Sequence, residues 1–290
     1  MTITITGATG SVGGKTLRLL HEAGTEVRAV ARRQDQVDRF AQQGIDAARA
    51  DLDDVDALTK AFAGADQVML LAAARPSQAP HGANVVRAAQ RAGVRAIVQI
   101  SASDATATSP IPWAQANWHT EQYVKLSGLE WTILRPSAYM DNLTQSAAAI
   151  ARGFYPQTTG SGAIAWTDTQ DVARVAATVL QAGRHTGQTA LITGPDLLTS
   201  TQVAATFSRV LGRPVRYVPL PSRVFATAVR LGGADAWMAE GLRQQFARVV
   251  RGRLDNVDAC TDDVQRITGH PATSLATWIE AHRDHFDRRR

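Results

Sequence analysis

A single cysteine, Cys260, occurs in 290 residues. That excludes an intrachain disulfide and a cysteine-built metal centre, and it fits a reducing compartment. Lysine is nearly as scarce: Lys15, Lys60 and Lys125 are the only three among 31 basic side chains. No apolar run approaches the ~18 residues of a membrane span, and the first residues have no charged region or long apolar core of a leader. A cytoplasmic chain without membrane contact is therefore expected. The net charge of +5 comes from arginines that are dispersed, apart from Arg32-Arg33 and Arg288-Arg289-Arg290. A nucleic-acid partner would need a clustered basic face with groove-reading or aromatic elements, so none is expected. His282 and His285 stand three apart without a third ligand at metal spacing, and no metal is expected.

What the chain does have comes first in it. Residues 2–6 (TITIT) form a short β-branched run suited to a buried parallel strand. Gly7-Ala8-Thr9-Gly10-Ser11-Val12-Gly13 follows, and then a helical pattern with Leu17, Leu19 and Leu20. A strand, a glycine turn and a helix make the context in which spaced glycines point to a dinucleotide. Gly7 is expected to make the tight turn, Gly10 to let the backbone approach a diphosphate, and Gly13 to let the helix pack on the strand. The helix N-terminus, with its free N–H groups and positive dipole end, would then face the phosphates. The spacing is G-x-x-G-x-x-G, which differs from the more familiar G-x-G-x-x-G.

The same alternation continues down the chain. Apolar runs at residues 27–31, 46–50, 67–74, 94–100 and 130–135 read as strands. Helical patterns at 37–43, 55–63, 84–92 and 113–126 separate them. This pitch predicts a doubly wound parallel α/β sheet, with ligands outside the carboxyl ends of its strands. The second strand ends in Arg32-Arg33, where an NAD site tends to carry an acid. Guanidinium groups would hold a 2′-phosphate, so NADP(H) is the expected cofactor. Asp51, with Leu52 beside it, is the candidate for the adenine edge, while Asp53 and Asp54 are expected to cap the next helix. Ala72, Ala73 and Ala74 should line the cofactor. Residues 151–166 are glycine-rich and are expected to cover it, with Trp166 near the substrate. Residues 189–192 read as a further strand, 198–211 as a helix, 213–218 as a short strand, 222–250 as a long helical stretch interrupted at Gly232-Gly233, and 261–286 as a terminal helical segment. The apolar stripe Val224, Phe225, Val229, Leu231, Trp237, Met238, Leu242 and Phe246 could wall a flat pocket, although a core role suits it better.

Several segments together resemble the NmrA-like branch of the atypical short-chain dehydrogenases/reductases. They are GATGSVGG at the start, the Arg32 region, Ser101, Glu121, SGLEWTILRPSAYMDN, AWTDTQDVARVAATV, GQTALITG and residues 261–269. The resemblance covers essentially the whole chain. It implies a Rossmann sheet in residues 1–150, to which residues 171–194 return, and a smaller, intertwined substrate-binding lobe in residues 151–290. It implies that Gly7, Thr9, Gly10, Ser11, Val12 and Gly13 cradle the diphosphate and that Arg32 meets the extra phosphate. Pro136 and Ser137 would lie under the nicotinamide. Tyr139, Met140 and Asn142 would face the substrate, with Ser103 and Trp113 nearby. Asp168 and Asp171 match an architectural acidic motif, and Asp171 is expected to cap the helix that follows it.

The proton relay common among short-chain dehydrogenases is missing. Tyr123, Tyr139, Tyr155 and Tyr217 are followed four positions later by Ser127, Leu143, Thr159 and Pro221, so no Tyr-x-x-x-Lys exists. Counted from Ser101, the usual positions fall near Trp113 and Asn117. A quinone or cationic conjugated acceptor can take hydride without a strong protein acid, and catalysis then reduces to stacking two flat rings. Ser101, His119 and Tyr139 are the remaining catalytic candidates; His119 alone ordinarily titrates near neutrality. The expectation is an NADPH-dependent oxidoreductase for a quinone-like or aromatic small molecule, working as a monomer or homodimer. A sensor that binds NADP(H) without turnover, or a biosynthetic reductase or isomerase, are the alternatives.

Overall fold

In the computed structural model, described for residues 1–183, 187–221, 224–225, 227, 230, 233, 235–250 and 260–287, the apolar runs become a central sheet. Its strands are β1 (Thr2–Ile5), β2 (Glu26–Ala31), β3 (Asp46–Arg49), β4 (Gln67–Leu70), β5 (Ala96–Ile100), β6 (Glu130–Pro136) and β9 (Gln188–Ile192). The sheet order is β3-β2-β1-β4-β5-β6-β9. All five pairings from β3 to β6 are parallel. β4 and β5 are buried at every position, which is why they read as nearly continuous apolar runs, each with a single glutamine. The strand order turns back between β1 and β4, and a doubly wound sheet opens its ligand crevice there.

The chain divides into two compact units. The first holds Met1–Thr108, Trp113–Arg135 and Val172–Leu191. Its helices are α1 (Ser11–Glu22), α2 (Gln34–Gln42), α3 (Val55–Ala61), α4 (Gln78–Arg91), α5 (Pro112–Lys125) and most of α7 (Thr169–Ala182). Leu58, Phe62, Val68, Val85, Val86, Ile97 and Val124 pack into one core cluster. α4 begins six residues earlier than the sequence suggested. Pro80 misleads, because it falls in the first turn, where an N–H has no intrahelical partner to lose.

The second unit holds Ser109–Pro112, Pro136–Asp171 and Ile192–Arg290. Residues 151–166, read as a glycine-rich cover, contain two strands that the sequence reading did not assign, β7 (Phe154–Gln157) and β8 (Ala163–Ala165). β7 pairs in parallel with β11 (Arg216–Pro219), and β8 pairs antiparallel with β10 (Leu197–Thr199). α6 (Ala147–Ala151) precedes them. α8 (Ser200–Leu211) starts at the Thr199 cap, whose hydroxyl accepts from Gln202 N, and stops at Gly212 with φ 68. The terminal segment is two helices rather than one, α10 (Asp263–Thr268) and α11 (Leu275–Ala281), parted by Gly269 at φ 76 and Pro271. Tyr155, Phe207, Trp278 and Phe286 make an aromatic core, with Phe207 and Phe286 edge to face at 4.9 Å.

Of the 222–250 stretch, α9 (Ala236–Val250) is seen, and its Phe246 is buried against Phe225 at 5.0 Å. Phe246 thus takes the core role, whereas Trp237, Met238 and Leu242 are half-buried and Val224 is exposed. Val229, Leu231, Gly232 and the terminal Arg288-Arg289-Arg290 lie outside the described residues. No helix among the described residues is long and apolar enough to cross a membrane.

Candidate active site

The first unit gathers its candidate residues at the carboxyl ends of its strands. Thr6 follows β1 with its hydroxyl between Met69 O (3.1 Å) and Leu71 O (3.2 Å), which ties the exits of β1 and β4 together. Gly7 then takes φ 66, a region costly for any side chain. A Cβ on Gly13 would overlap the Gly7 carbonyl oxygen and lie 2.7 Å from its carbon. The strand and helix can pack this closely only with glycine. α1 opens on Gly10 with no side-chain cap and no acid in its first turn. By contrast, α3 and α11 are closed by the side chains of Asp54 and Ser274. An uncapped helix start at the sheet's switch point fits a diphosphate. Thr9, Gly10 and Ser11 are exposed, whereas Val12 and Gly13 are buried.

Around this turn lie the other dinucleotide candidates. Arg32 and Arg33 follow β2 and are both exposed. They are not equivalent: Arg33 grips Asp35 with both prongs, Nε at 2.9 Å and Nη2 at 2.8 Å. No such tie holds Arg32 among the described residues, so its fork is the one ready for a phosphate. Asp51 and Leu52 are half-buried in the turn after β3. Asn84 Nδ2 donates to Leu52 O at 2.9 Å and pins that turn to α4. The two acids after Leu52 part company. Asp54 caps α3 as expected, accepting from Ala57 N at 2.9 Å. Asp53 does not cap; its carboxylate meets His81 Nε2 at 3.0 Å. Ala72 is buried and Ala73 and Ala74 are exposed after β4.

At the exit of β5 the structure adds a network that the sequence alone did not disclose. Glu121 on α5 is fully buried. Arg135 of β6 grips its two oxygens at 2.8 and 2.6 Å, and Ser101 Oγ donates to it at 2.6 Å. Lys125 Nζ stands 3.5 Å away. The Ser101 proton is thus directed to Glu121. Ser103 is buried nearby in sequence and Trp113 is half-buried at the start of α5. His119 does not join this network. It is exposed, with Trp118 edge-on at 5.1 Å.

The second unit groups Ser137, Tyr139, Met140, Asn142 and Trp166. Ser137 Oγ donates to Ala165 O. Met140 N donates to Thr167 O, and Thr167 N to Ala138 O, both at 2.9 Å. These bonds lay residues 138–140 beside 165–167. Pro136, Met140 and Trp166 are buried, Tyr139 is half-buried and Asn142 is exposed. A Cβ on Gly194 would overlap Trp166 O and lie 3.6 Å from Met140 Cε, so Gly194 makes room for both. Burial, with the Asp141 carboxylate behind it, pushes the Tyr139 phenol above its ordinary value. Tyr139 can therefore donate a hydrogen bond but is not a base. Asp168, not Asp171, caps α7: its Oδ1 accepts from Gln170 N at 2.9 Å. Asp171 instead holds Thr273 through its N at 2.6 Å and its hydroxyl at 3.0 Å. His282 stacks on Trp278 at 4.4 Å, with Nδ1 bonded to Trp278 O.

Known proteins resemble this chain in sequence and fold. The chain is 31% identical over 281 residues to the NAD(P)H azoreductase of Xenophilus azovorans, covering 97% of each. The NADPH complex of an NADPH-dependent quinone oxidoreductase from Escherichia coli matches with TM-score 0.87 and 31% identity, over 97% of this chain and 99% of that one. The Citrobacter sp. triphenylmethane reductase complexed with NADP(H) matches with TM-score 0.86 and 25% identity, over 97% and 100%. The model of the NmrA-like family matches residues 1–269, nearly the whole sequence, and the chain belongs to that family.

Proposed function

We propose that this NAD(P)H-dependent oxidoreductase passes hydride from NADPH to a quinone-like or conjugated aromatic small molecule, without a Tyr-x-x-x-Lys relay. The observation that carries the reading is the uncapped start of α1 behind a Gly7–Gly13 contact too close for any Cβ. The acceptor class is supported by relatives named for azo, quinone and triphenylmethane substrates.

Each residue then has a task. The amides from Gly10 to Gly13 hold the diphosphate, and Thr9 and Ser11 flank it. Arg32 binds the 2′-phosphate as a charge-assisted fork. Asp51 accepts from the adenine amino group, while Leu52 and Ala72–Ala74 line the path. Pro136 and Ser137 take the nicotinamide side. When bound, the nicotinamide supplies the hydride. Tyr139, Met140, Asn142 and Trp166 meet the acceptor. Tyr139 stays protonated and can donate a hydrogen bond to an acceptor oxygen. Ser101 positions the exit of β5 through Glu121, and exposed His119 is left without a role.

The test is NADPH oxidation with a naphthoquinone, an azo dye and a triphenylmethane dye, each against a no-acceptor control. Acceptor-dependent oxidation, faster with NADPH than with NADH, is expected. Tight NADPH binding by calorimetry with no acceptor-dependent oxidation would replace this reading with that of a dinucleotide sensor.

A further inference from the structure

We propose that Asp51, Asp53 and His81 form a binding site for a divalent transition-metal cation at the exit of β3. One carboxylate oxygen from each aspartate and a ring nitrogen of His81 all lie within 4.8 Å of one another. His81 Nε2 and Asp53 Oδ1 are already 3.0 Å apart. Two ligands at ~2.1 Å from one cation stand about 3.0–3.5 Å from each other, so this pair needs little movement.

The scaffold is built to hold these groups. His81 is 5% exposed on the inner face of α4, and a buried ring is held in one orientation. One turn further along α4, Asn84 Nδ2 clamps Leu52 O at 2.9 Å and fixes the backbone between the two aspartates. Asp53 N donates to Asp51 Oδ1 at 3.2 Å, which turns Asp51 toward Asp53. Asp54 is withdrawn from the group by its duty as the α3 cap.

Charge points to a cation. Two carboxylates converge here, and among the described residues neither pairs with a lysine or an arginine. His81 alone faces them, and the neutral ring has a ligand lone pair to offer. One nitrogen and two oxygens suit zinc, cobalt or manganese rather than calcium or magnesium, which favour all-oxygen shells. The side chain of Asp53 is 73% exposed, so a fourth position opens to water.

The site has a consequence for the dinucleotide, resting on the cofactor reading above. Asp51 is common to this site and to the proposed adenine contact, and turning its carboxylate toward a cation takes it from the amino group, so the cation and NADPH should compete.

The experiment is calorimetric titration of the tag-free full chain with zinc, followed by cobalt binding read from its visible d–d absorption. One equivalent of zinc should bind. His81→Ala and Asp53→Asn should each weaken it at least tenfold. Asp54→Asn and His285→Ala, which lie outside the cluster, should leave it unchanged. Circular dichroism of His81→Ala checks folding, and the exposed Asp53→Asn keeps the test decisive if that variant unfolds. No zinc binding, or binding that neither variant weakens, overturns the site. Zinc binding that is unaffected by saturating NADPH overturns only the competition and leaves the site standing.

Discussion

Replacing Glu121 by alanine should be among the most damaging single changes in the first unit. Glu121 is fully buried, and Arg135, whose side chain is 18% exposed, has no comparable partner among the described residues once the carboxylate is gone. Three things are lost together: a bidentate charge pair, the acceptor for Ser101 Oγ, and the volume of one methylene and a carboxylate. Breaking a buried pair from one side costs about 3–5 kcal/mol, because the remaining charge stays desolvated. With an unfolding entropy of roughly 600 cal/mol/K for a chain this long, that is a drop in Tm of about 5–8 °C. Urea unfolding followed by circular dichroism measures it directly as a shift in midpoint at constant m. The reasoning makes a sharper claim about the double variant. Glu121→Leu with Arg135→Met removes both charges and fills similar space, so it should recover most of the loss. A double variant as unstable as the sum of its singles, or a Glu121→Ala cost below ~1 kcal/mol, refutes the account of a desolvated charge left behind.

Other changes give simpler readings. Arg32→Ala should raise the NADPH dissociation constant by about ten- to a hundredfold and leave that of NADH nearly unchanged, as expected for a charge-assisted contact of ~1.5–3 kcal/mol; equal losses for both cofactors count against it. Arg33→Ala should do less, because Asp35 already occupies its fork. Gly13→Ala forces backbone apart from backbone, so NADPH affinity in calorimetry should fall tenfold or more; unchanged affinity would remove the close-packing argument. Burial pushes the Tyr155 phenol up to about 12, against the pull of Gln157 and Ser200. The neutral phenol's contribution is complete below pH ~10 and is lost as pH rises through ~12, a change on the order of 2–3 kcal/mol. Tyr155→Phe should flatten the alkaline fall in stability over that window, and parallel curves would refute it.

The central sheet was legible because its strands are buried on both faces and need no partner to be recognised. A run such as 96–100 (AIVQI) is apolar but for Gln99 whatever pairs with it. The strands of the second unit were less legible for the opposite reason. β7 and β8 have four and three residues, and their partners β11 and β10 lie far along the chain. Nothing local separates such a segment from a glycine-rich loop. The three acids after β3 show a related limit. Asp51, Asp53 and Asp54 are interchangeable as letters, and only the turn's path decides which one caps α3 and which one meets a histidine 28 residues away.

Glu121 and Arg135 mark a signal that was present in the sequence and not used. On α5, Ala114, Asn117, Thr120, Glu121 and Val124 fall on one helical stripe, and all five are buried. A glutamate in the middle of such a stripe cannot remain inside unless an opposite charge comes with it. The strand that follows, EWTILR, opens on an exposed Glu130 and carries an arginine directly after the buried Thr132, Ile133 and Leu134. Each charge violates the pattern of its own element, and each violation is relieved by the other. Two misfit charges of opposite sign in consecutive elements therefore predict a contact, although no periodicity connects them. Here the contact also reaches Ser101, so it ties α5 and β6 to the exit of β5 and fixes the edge from which the candidate site is built.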